Sequence, residues 1–312
     1  MPTFTDETLL SGNGKTRLRV RRCMPEGEAK AVVQIAHGIA EHMGRYDGFA
    51  AFLASNGIAV VGNDHLGHGL SAKGKEDLGF FAEKDGWDLA VGDMRKVYER
   101  FSAEYPGLPY FLFGHSMGSF LSRTYLIRYP DGLTGAILSG TGQQPGLIVY
   151  AGRGMGRREI KKHGARYKSP VLNAMAFGSY NQRFEPKRTG SDWLSRDPDA
   201  VDAYRSDPLC GFVPSAALFT DMMEGFAFNQ KRENLRRMKK DLPVLFMSGD
   251  ADPVGAYGKG VKKAYESFRK AGMTDLSIKL YPEGRHEMLN ELNKDEVYRD
   301  ILDWLNSKLG KM

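Results

Sequence analysis

The sequence is poor in cysteine, with only Cys23 and Cys210 among 312 residues. Two cysteines so far apart provide neither the disulfide framework of a small secreted protein nor a paired-cysteine metal motif. They are typical of a protein from a reducing compartment, so we expect a cytoplasmic location. No stretch approaches the ~18 consecutive apolar residues that a membrane-spanning helix needs. The segment from Met1 to Val20 also lacks the apolar core of a signal peptide.

Positive charge is unevenly distributed along the chain. The net charge is +6, but residues 143–240 contain 18 basic and 10 acidic residues, a net +8 that leaves −2 for the remainder. Two basic runs, Ala151–Pro170 and Lys231–Lys240, account for most of this excess. The runs either attract an anionic membrane surface or form solvated helix faces. No nucleic-acid partner is expected, because no recognised binding module accompanies the charge.

The pattern of apolar residues predicts an α/β fold. A hydrophobic fraction of 41% and a charged fraction of 26% are ordinary for a globular protein and exclude a disordered chain. The first thirty residues predict a β-hairpin around the turn residues Ser11–Gly14, and strand and helix patterns then alternate, as in βαβ units. The predicted strands are Ala31–Ala36, Ile58–Val61, Tyr110–Phe113, Leu133–Leu138, Val244–Met247 and Leu276–Tyr281. The predicted helices are Tyr46–Ser55, Trp87–Tyr105, Ser119–Tyr129, Ser215–Phe228, Gly258–Ala271 and Asp295–Leu309.

The alternation stops between about Gly140 and Lys240. That stretch contains helical patterns, both basic runs and several Asp-Pro turns, but no convincing buried strand. We therefore predict a scaffold made of residues 1–139 and 241–312, interrupted by a helical cap at residues 140–240.

A Gly-x-Ser-x-Gly motif, Gly114-His115-Ser116-Met117-Gly118, lies between a predicted strand and a predicted helix. The motif alone is weak, since a chain with 37 glycines produces it readily by chance. Its context is stronger, because a serine on such a tight turn holds its hydroxyl clear of the sheet. We therefore predict that Ser116 is a nucleophile.

A nucleophilic serine needs a base to take its proton and an acid to orient that base. In this topology the three residues follow one another along the chain as Ser, then Asp or Glu, then His. Among seven histidines, only His286 follows the last predicted strand. The loop after the strand Val244–Met247 offers two candidate acids, Asp250 and Asp252, and either could instead cap the next helix.

Acyl transfer also needs two N–H donors for the oxyanion. One is expected from Met117, the residue after the nucleophile, and the other from the loop after an early strand. That loop begins His37-Gly38-Ile39, which places the second donor at Ile39. Gly38 gives the backbone the freedom to approach the substrate.

Two other clusters suggest different chemistry. His65, His68 and Asp64, with His37 and His42, could indicate a metal site, but they lack the spacing of a helical His-Glu-x-x-His motif. A hydrogen-bonded loop beneath the active site fits them better. Gly152-Arg153-Gly154-Met155-Gly156 neither matches a dinucleotide-binding fingerprint nor follows a strand. We therefore expect neither a metal nor a cofactor.

Five segments, taken together and in order, resemble the monoacylglycerol lipase and lysophospholipase branch of the α/β-hydrolases, often labelled with the serine aminopeptidase-type hydrolases. They are HGIAEHMGRY (His37–Tyr46), DHLGHGLS (Asp64–Ser71), GHSMGS (Gly114–Ser119), SGDADPVG (Ser248–Gly255) and GRHEMLNE (Gly284–Glu291). The resemblance implies an α/β-hydrolase fold, a mostly parallel eight-stranded sheet flanked by helices with a helical cap.

The resemblance also implies the roles of single residues. It places the nucleophile at Ser116, the acid at Asp252, the base at His286, and the oxyanion donors at the backbone N–H groups of Ile39 and Met117. Ala40 stands where the usual HGxGEH loop has its second glycine, a small change that leaves the donor in place.

The implied function is hydrolysis of a carboxylic ester, most simply a monoacylglycerol, a lysophospholipid or a similar single-chain ester. Two alternatives differ in class: an aminopeptidase on the same scaffold, and a ligand-binding protein without activity. Recognition of an amine would require acidic residues in the cap, which the basic cap opposes. The intact Ser, Asp and His set opposes the second alternative.

Overall fold

The computed structural model describes residues 1–310, built around one eight-stranded sheet in the order β1-β2-β4-β3-β5-β6-β7-β8. β1 and β2 form an antiparallel hairpin and β2 pairs antiparallel with β4, whereas the other neighbours are parallel. The predicted fold class is therefore confirmed. The strands are β1 (Thr3–Leu10), β2 (Arg17–Met24), β3 (Ala31–Ala36), β4 (Ile58–Asn63), β5 (Tyr110–His115), β6 (Gly135–Ser139), β7 (Val244–Gly249) and β8 (Leu276–Tyr281).

The strands β3 to β7 are buried along their whole length. Their sequences are nearly continuous apolar runs, the pattern expected when helices cover both faces of a parallel sheet. β1, at one edge, is largely exposed. The carboxyl ends of the parallel strands lie at one edge of the sheet, where ligands bind in open α/β folds.

Helices cover both faces of the sheet. Apolar side chains of α2, α3 and α9 pack on one face, and those of α1 and α10 on the other. The helices are α1 (Asp47–Ser55), α2 (Gly86–Glu104), α3 (Met117–Arg128), α4 (Gly146–His163), α5 (Pro170–Phe177), α6 (Pro198–Ser206), α7 (Ala216–Gln230), α8 (Arg232–Leu235), α9 (Lys259–Lys270) and α10 (Lys294–Leu309). None of these helices is long and apolar enough to cross a membrane.

Most predicted boundaries differ from the observed ones by one or two residues. The largest shift at a functional position is at α3, which begins at Met117 rather than Ser119, because the helix starts directly after the tight turn at Ser116. The predicted strand from Leu133 begins at Gly135, since the preceding residues form a bend.

Five helices, α4 to α8, lie between β6 and β7. The helix α4 packs against α7, which in turn packs against α3 of the scaffold. A Cβ at Gly156 would overlap the hydroxyl of Thr220 on α7, so only glycine allows this close approach. The glycines between Gly152 and Gly156 therefore lie within α4, where Gly152 and Gly156 allow the helix to pack closely against α7. Their backbone is helical and does not form an anion-binding loop.

Candidate active site

Ser116 lies in a strained turn between β5 and α3. Its backbone angles are φ 52° and ψ −121°, a conformation that a non-glycine residue rarely adopts. A Cβ at Gly118 would overlap the carbonyl oxygen of Ala36, so glycine is needed where α3 passes β3. This geometry matches a nucleophile elbow, which presents the serine hydroxyl above the sheet.

His286 follows β8, and its Nδ1 lies 3.0 Å from both carboxylate oxygens of Asp252. The Asp252 carboxylate also accepts hydrogen bonds from the Ser248 hydroxyl at 3.0 Å and the Val254 N–H at 2.8 Å. Both members of the pair are almost wholly buried, with exposures of 0% for Asp252 and 2% for His286. The carboxylate therefore fixes the imidazole with Nδ1 as the donor, which leaves Nε2 free to accept a proton.

The other candidate acid points elsewhere. The Asp250 side chain is exposed, and its carboxylate accepts the N–H of Glu283 at 2.7 Å. The structure therefore brings Asp252, and not Asp250, to His286.

The pair shifts both pKa values in the direction that general-base chemistry needs. Burial alone would lower the pKa of His286, but the charge and hydrogen bond of Asp252 outweigh it, and the pKa is raised. Burial alone would raise the pKa of Asp252, but His286, the Val254 N–H and the Ser248 hydroxyl outweigh it, and the pKa is lowered. Asp252 therefore stays ionised at neutral pH.

Ser116 and His286 line the same cavity, although no hydrogen bond joins the Ser116 hydroxyl to His286 Nε2 within residues 1–310. Catalytic hydrogen bonds are often long in the absence of substrate and shorten when substrate binds. Ser116 and His286 thus lie at one cavity, but the hydrogen bond between the Ser116 hydroxyl and His286 Nε2 is not formed in this structure.

The N–H groups of Ile39 and Met117 donate to no other protein group in the described residues 1–310. Both residues line the cavities at Ser116. His37 orients the peptide group between Gly38 and Ile39. Its Nδ1 lies 2.7 Å from the Gly38 carbonyl oxygen, and its Nε2 accepts the N–H of His65 at 2.9 Å. Since a trans peptide points its C=O and N–H in opposite directions, this bond turns the Ile39 N–H away from His37.

A buried ion network supports the same loop. Glu41 accepts the N–H of Gly38 at 2.5 Å and the hydroxyl of Tyr46 at 2.8 Å. Arg45 bridges Glu41 at 2.8 Å and Glu287 at 2.6–2.7 Å. The network therefore connects the loop that contains Ile39 to the loop that contains His286. No role for Glu41, Arg45 or Glu287 could be predicted from sequence, and the available signal was that all three lie within the recognised motifs.

The remaining histidine cluster forms a compact loop below this site. Asp64 accepts the N–H groups of Met43 and Leu70, both at 2.8 Å. Burial lowers the pKa of His65 to about 3 and of His68 to about 4, so both are neutral at physiological pH. Asp64, His37 and His68 make the hydrogen bonds of this loop, whereas both ring nitrogens of His65 are buried without a partner within residues 1–310.

His115 lies beside the base. Its ring centroid is 4.7 Å from that of His286, and burial lowers its pKa to about 3. Gly114 and His115 are the last two residues of the strand β5. His115 is therefore a neutral neighbour of the catalytic pair.

Two cavities of different character meet at Ser116. The first, of about 750 Å³, has mainly apolar walls that include Phe120, Ile148, Met175, Phe219, Met223 and Phe226. The second, of about 790 Å³, has more polar walls that include Glu41, His115, Asn173, Ser191, Tyr204 and Glu287. The hydroxyl of Ser116 therefore lies between an apolar and a polar compartment. Trp193 lines both, a position that no local sequence pattern indicated.

A mostly parallel sheet of this order, with a strained serine after β5 and a His–Asp pair at the ends of β7 and β8, defines an α/β-hydrolase. The family described as "Serine aminopeptidase, S33" matches residues 27–293, so the chain belongs to that family. The resemblance predicted from the five motifs is confirmed.

Several proteins are similar over nearly the whole chain. The monoacylglycerol lipase of Mycolicibacterium smegmatis is 29% identical over 310 residues, covering 97% of this chain and 98% of that protein. The monoglyceride lipase of Homo sapiens is 27% identical over 286 residues, covering 91% and 85%. A thermostable carboxyl esterase from Bacillus coagulans, solved in complex with glycerol, has a TM-score of 0.91 and 28% identity, covering 98% and 99%.

Proposed function

We propose that the chain is a serine hydrolase that cleaves neutral single-chain carboxylic esters, above all monoacylglycerols, through an acyl-enzyme on Ser116. One observation carries the proposal: Ser116 lies in a strained turn beside the His286–Asp252 pair, where an apolar and a polar cavity meet. The relatives named as monoacylglycerol lipases support ester hydrolysis. They favour neither a non-catalytic binding protein nor an aminopeptidase.

The geometry supports a two-step mechanism. His286 Nε2 takes the proton of Ser116 Oγ, which attacks the ester carbonyl, while the N–H groups of Ile39 and Met117 bind the oxyanion. Oxyanion-hole donors of this kind are each worth about 10²–10³ in kcat where they have been removed. The imidazolium, held by Asp252, then protonates the leaving alcohol. Water, activated by His286, hydrolyses the acyl-enzyme and regenerates Ser116.

The apolar cavity suits an acyl chain. Its methionine side chains, Met175 and Met223 among them, are flexible and adapt to chains of different length. Ile148 and Met175 are 55% and 43% exposed, so the cavity opens to the surface between α4 and α5. A single acyl chain can therefore enter from that side.

The polar cavity suits a neutral alcohol. Asn173, Ser191 and Tyr204 offer uncharged polar groups, and no lysine or arginine lies among the residues that line it. Glu41 and Glu287 in this wall already share the guanidinium of Arg45, so within residues 1–310 the wall offers a phosphate group no unpaired cation. We therefore propose a glycerol-type leaving group in preference to the anionic phosphodiester of a lysophospholipid.

The aminopeptidase alternative has little support from this cavity. A substrate ammonium group would need an unneutralised carboxylate, but Glu41 and Glu287 both bind Arg45. Neither carboxylate is available to a substrate amine without breaking that ion network.

We also propose that the inserted helices touch an anionic membrane surface. The outward face of α4 carries Leu147 and Tyr150, 85% and 76% exposed, near the opening of the apolar cavity. The same face continues with Arg158, Lys161 and Lys162, all exposed and outside every salt bridge in residues 1–310. Each basic residue near an anionic membrane contributes about 1 kcal/mol.

A cytoplasmic location remains part of the proposal. Its support is that Cys23 and Cys210 are free thiols, as expected in a reducing compartment.

A panel of two lauroyl esters and one aminoacyl anilide tests the proposal. We would compare kcat/KM for monolauroylglycerol, for lauroyl lysophosphatidylglycerol, whose head group is an anionic phosphodiester, and for a leucyl anilide, each below its aggregation concentration. We expect the glyceride to exceed the lysophospholipid by at least about tenfold, since the phosphate finds no cation in the polar cavity, and the anilide to be inert. Equal turnover of the lysophospholipid would overturn the head-group proposal, and preference for the anilide would overturn ester hydrolysis itself.

A further inference from the structure

Trp193, in the loop between α5 and α6, packs directly on the proposed base. Its indole lies 5.1 Å from the imidazole of His286 between ring centroids, with an interplanar angle of 39°. The imidazole has a second aromatic neighbour in His115, at 4.7 Å. Because Trp193 also lines both cavities, one side chain touches the acyl compartment, the alcohol compartment and the base.

The backbone beside Trp193 binds the His286 loop as well. We call residues 192–196 the strap. The N–H of His286 donates to the Trp193 carbonyl at 3.3 Å, and the N–H of Glu287 donates to the Leu194 carbonyl at 2.8 Å. The strap therefore runs along the loop that carries the base.

Side chains reinforce this attachment at both ends. Arg285 donates to the Ser195 carbonyl at 3.1 Å, and the Ser195 hydroxyl donates to the Asn290 carbonyl at 2.9 Å. Arg196 Nε binds Glu291, a fully buried carboxylate, at 2.9 Å. These contacts make the strap a fixed part of the scaffold edge.

Two residues that precede the strap in the chain, Tyr180 and Asn181, hold Trp193 in place. The backbone N–H of Trp193 donates to Asn181 Oδ1 at 2.9 Å. The ring of Tyr180 meets the indole edge-on at 4.9 Å. The orientation of the indole is thus set before any substrate binds.

We propose that Trp193 is a positioning residue, which holds the His286 imidazole between Asp252 and Ser116 and separates the acyl from the alcohol compartment. The strap is then a permanent component of the active site, and substrate enters where α4 and α5 open rather than by movement of the strap. This inference rests on the proposed role of His286 as the base.

Two substitutions of Trp193 distinguish a role in positioning His286 from a role that depends only on side-chain volume. Trp193→Leu keeps an apolar side chain but removes the flat ring, and a misplaced base costs up to about 10² in rate. We expect kcat on a short soluble ester to fall by about 10–100-fold. Trp193→Phe keeps a flat ring and should recover most of the lost kcat. Phe177→Leu is the contrast, since Phe177 also lines both cavities but its ring meets Tyr180, and we expect it to change KM more than kcat.

Tryptophan emission reports the stacking directly, because a protonated imidazole in contact with an indole quenches its fluorescence. The other titratable neighbours stay unchanged near neutral pH: the pKa of His115 is about 3, and burial raises the pKa of Tyr180. We expect the emission of a Trp87→Phe, Trp304→Phe variant, in which Trp193 is the remaining tryptophan, to titrate with the acid limb of kcat/KM. His286→Gln and Trp193→Phe should each abolish that transition.

The outcomes are distinct. Unchanged kcat in Trp193→Leu, a loss of kcat that Trp193→Phe does not recover, or an emission titration that survives His286→Gln would each overturn the positioning role. Retention of hydrolysis in His286→Gln would instead overturn the proposed function, while the emission titration would still report whether the two rings touch.

Discussion

The scaffold and the inserted segment, residues 140–240, contribute to the site in different ways. The scaffold places Ser116, Asp252 and His286 after β5, β7 and β8, so the order of a parallel sheet brings together residues far apart in the chain. The inserted segment contributes the walls around them, through contacts such as Trp193 on His286. From this comparison we propose that the scaffold supplies the reacting groups and that the insertion contributes to substrate selection and to the environment of His286.

The largest expected effect tests the contribution of the scaffold. Ser116→Ala should lower kcat for a p-nitrophenyl ester by about 10⁴–10⁶, because the nucleophile is lost while the fold is retained. Ser122→Ala, in the helix that follows, is the matched control, since the buried Ser122 hydroxyl has no hydrogen-bond partner within residues 1–310. If Ser116→Ala kept a tenth of the wild-type rate, the nucleophile would lie elsewhere.

The second prediction compares the two acids of one loop. Asp252→Asn should lower kcat by about 10³–10⁴, since the amide leaves the imidazole in the wrong tautomer. Asp250→Asn should have little effect, because that carboxylate is exposed and its hydrogen bond is to the backbone N–H of Glu283. Steady-state kinetics on both variants decides the matter, and the opposite ranking would contradict the site geometry.

The third prediction concerns pH. His286 must be neutral to accept the serine proton, and its pKa is raised above the ordinary value of 6.5 by Asp252. The acid limb of kcat/KM should therefore have its midpoint above pH 6.5, with activity lost as pH falls through it. A pH–rate profile on a neutral ester measures this midpoint. A midpoint below pH 6 would show that another group limits the rate.

The smallest expected effect concerns the inserted segment and its binding to anionic membranes. Changing Arg158, Lys161 and Lys162 to Glu should weaken binding to anionic vesicles at low salt while sparing turnover of a short soluble ester. Arg157 is left in place because it pairs with Glu224 at 2.7 Å. The same charge reversal at Arg236, Arg237 and Lys239, on the other basic run, is the control for charge alone. Vesicle flotation that does not distinguish the two triple variants would leave the α4 face as a solvated surface.

The sequence was most informative where function depends on local geometry. The turn at Ser116 and the loops of Asp252 and His286 follow strands with clear apolar patterns, so chain order located the three segments. The family resemblance then favoured Asp252 over Asp250. Trp193 had no such signal, because His286, which its indole contacts, lies 93 residues further along the chain. Trp193 also lies in a loop of the inserted segment and does not follow a strand with a clear apolar pattern. Glu41 and Glu287 meet only through Arg45, and a contact between such distant loops leaves no periodic pattern.

The most direct test of the account is to react the protein with a fluorophosphonate and map the adduct by mass spectrometry. We expect one covalent phosphonyl group per chain, on the peptide that contains Ser116, and no adduct in Ser116→Ala. An adduct on a different serine, or stoichiometric labelling of Ser116→Ala, would contradict the central claim that this serine at the end of β5 is the nucleophile.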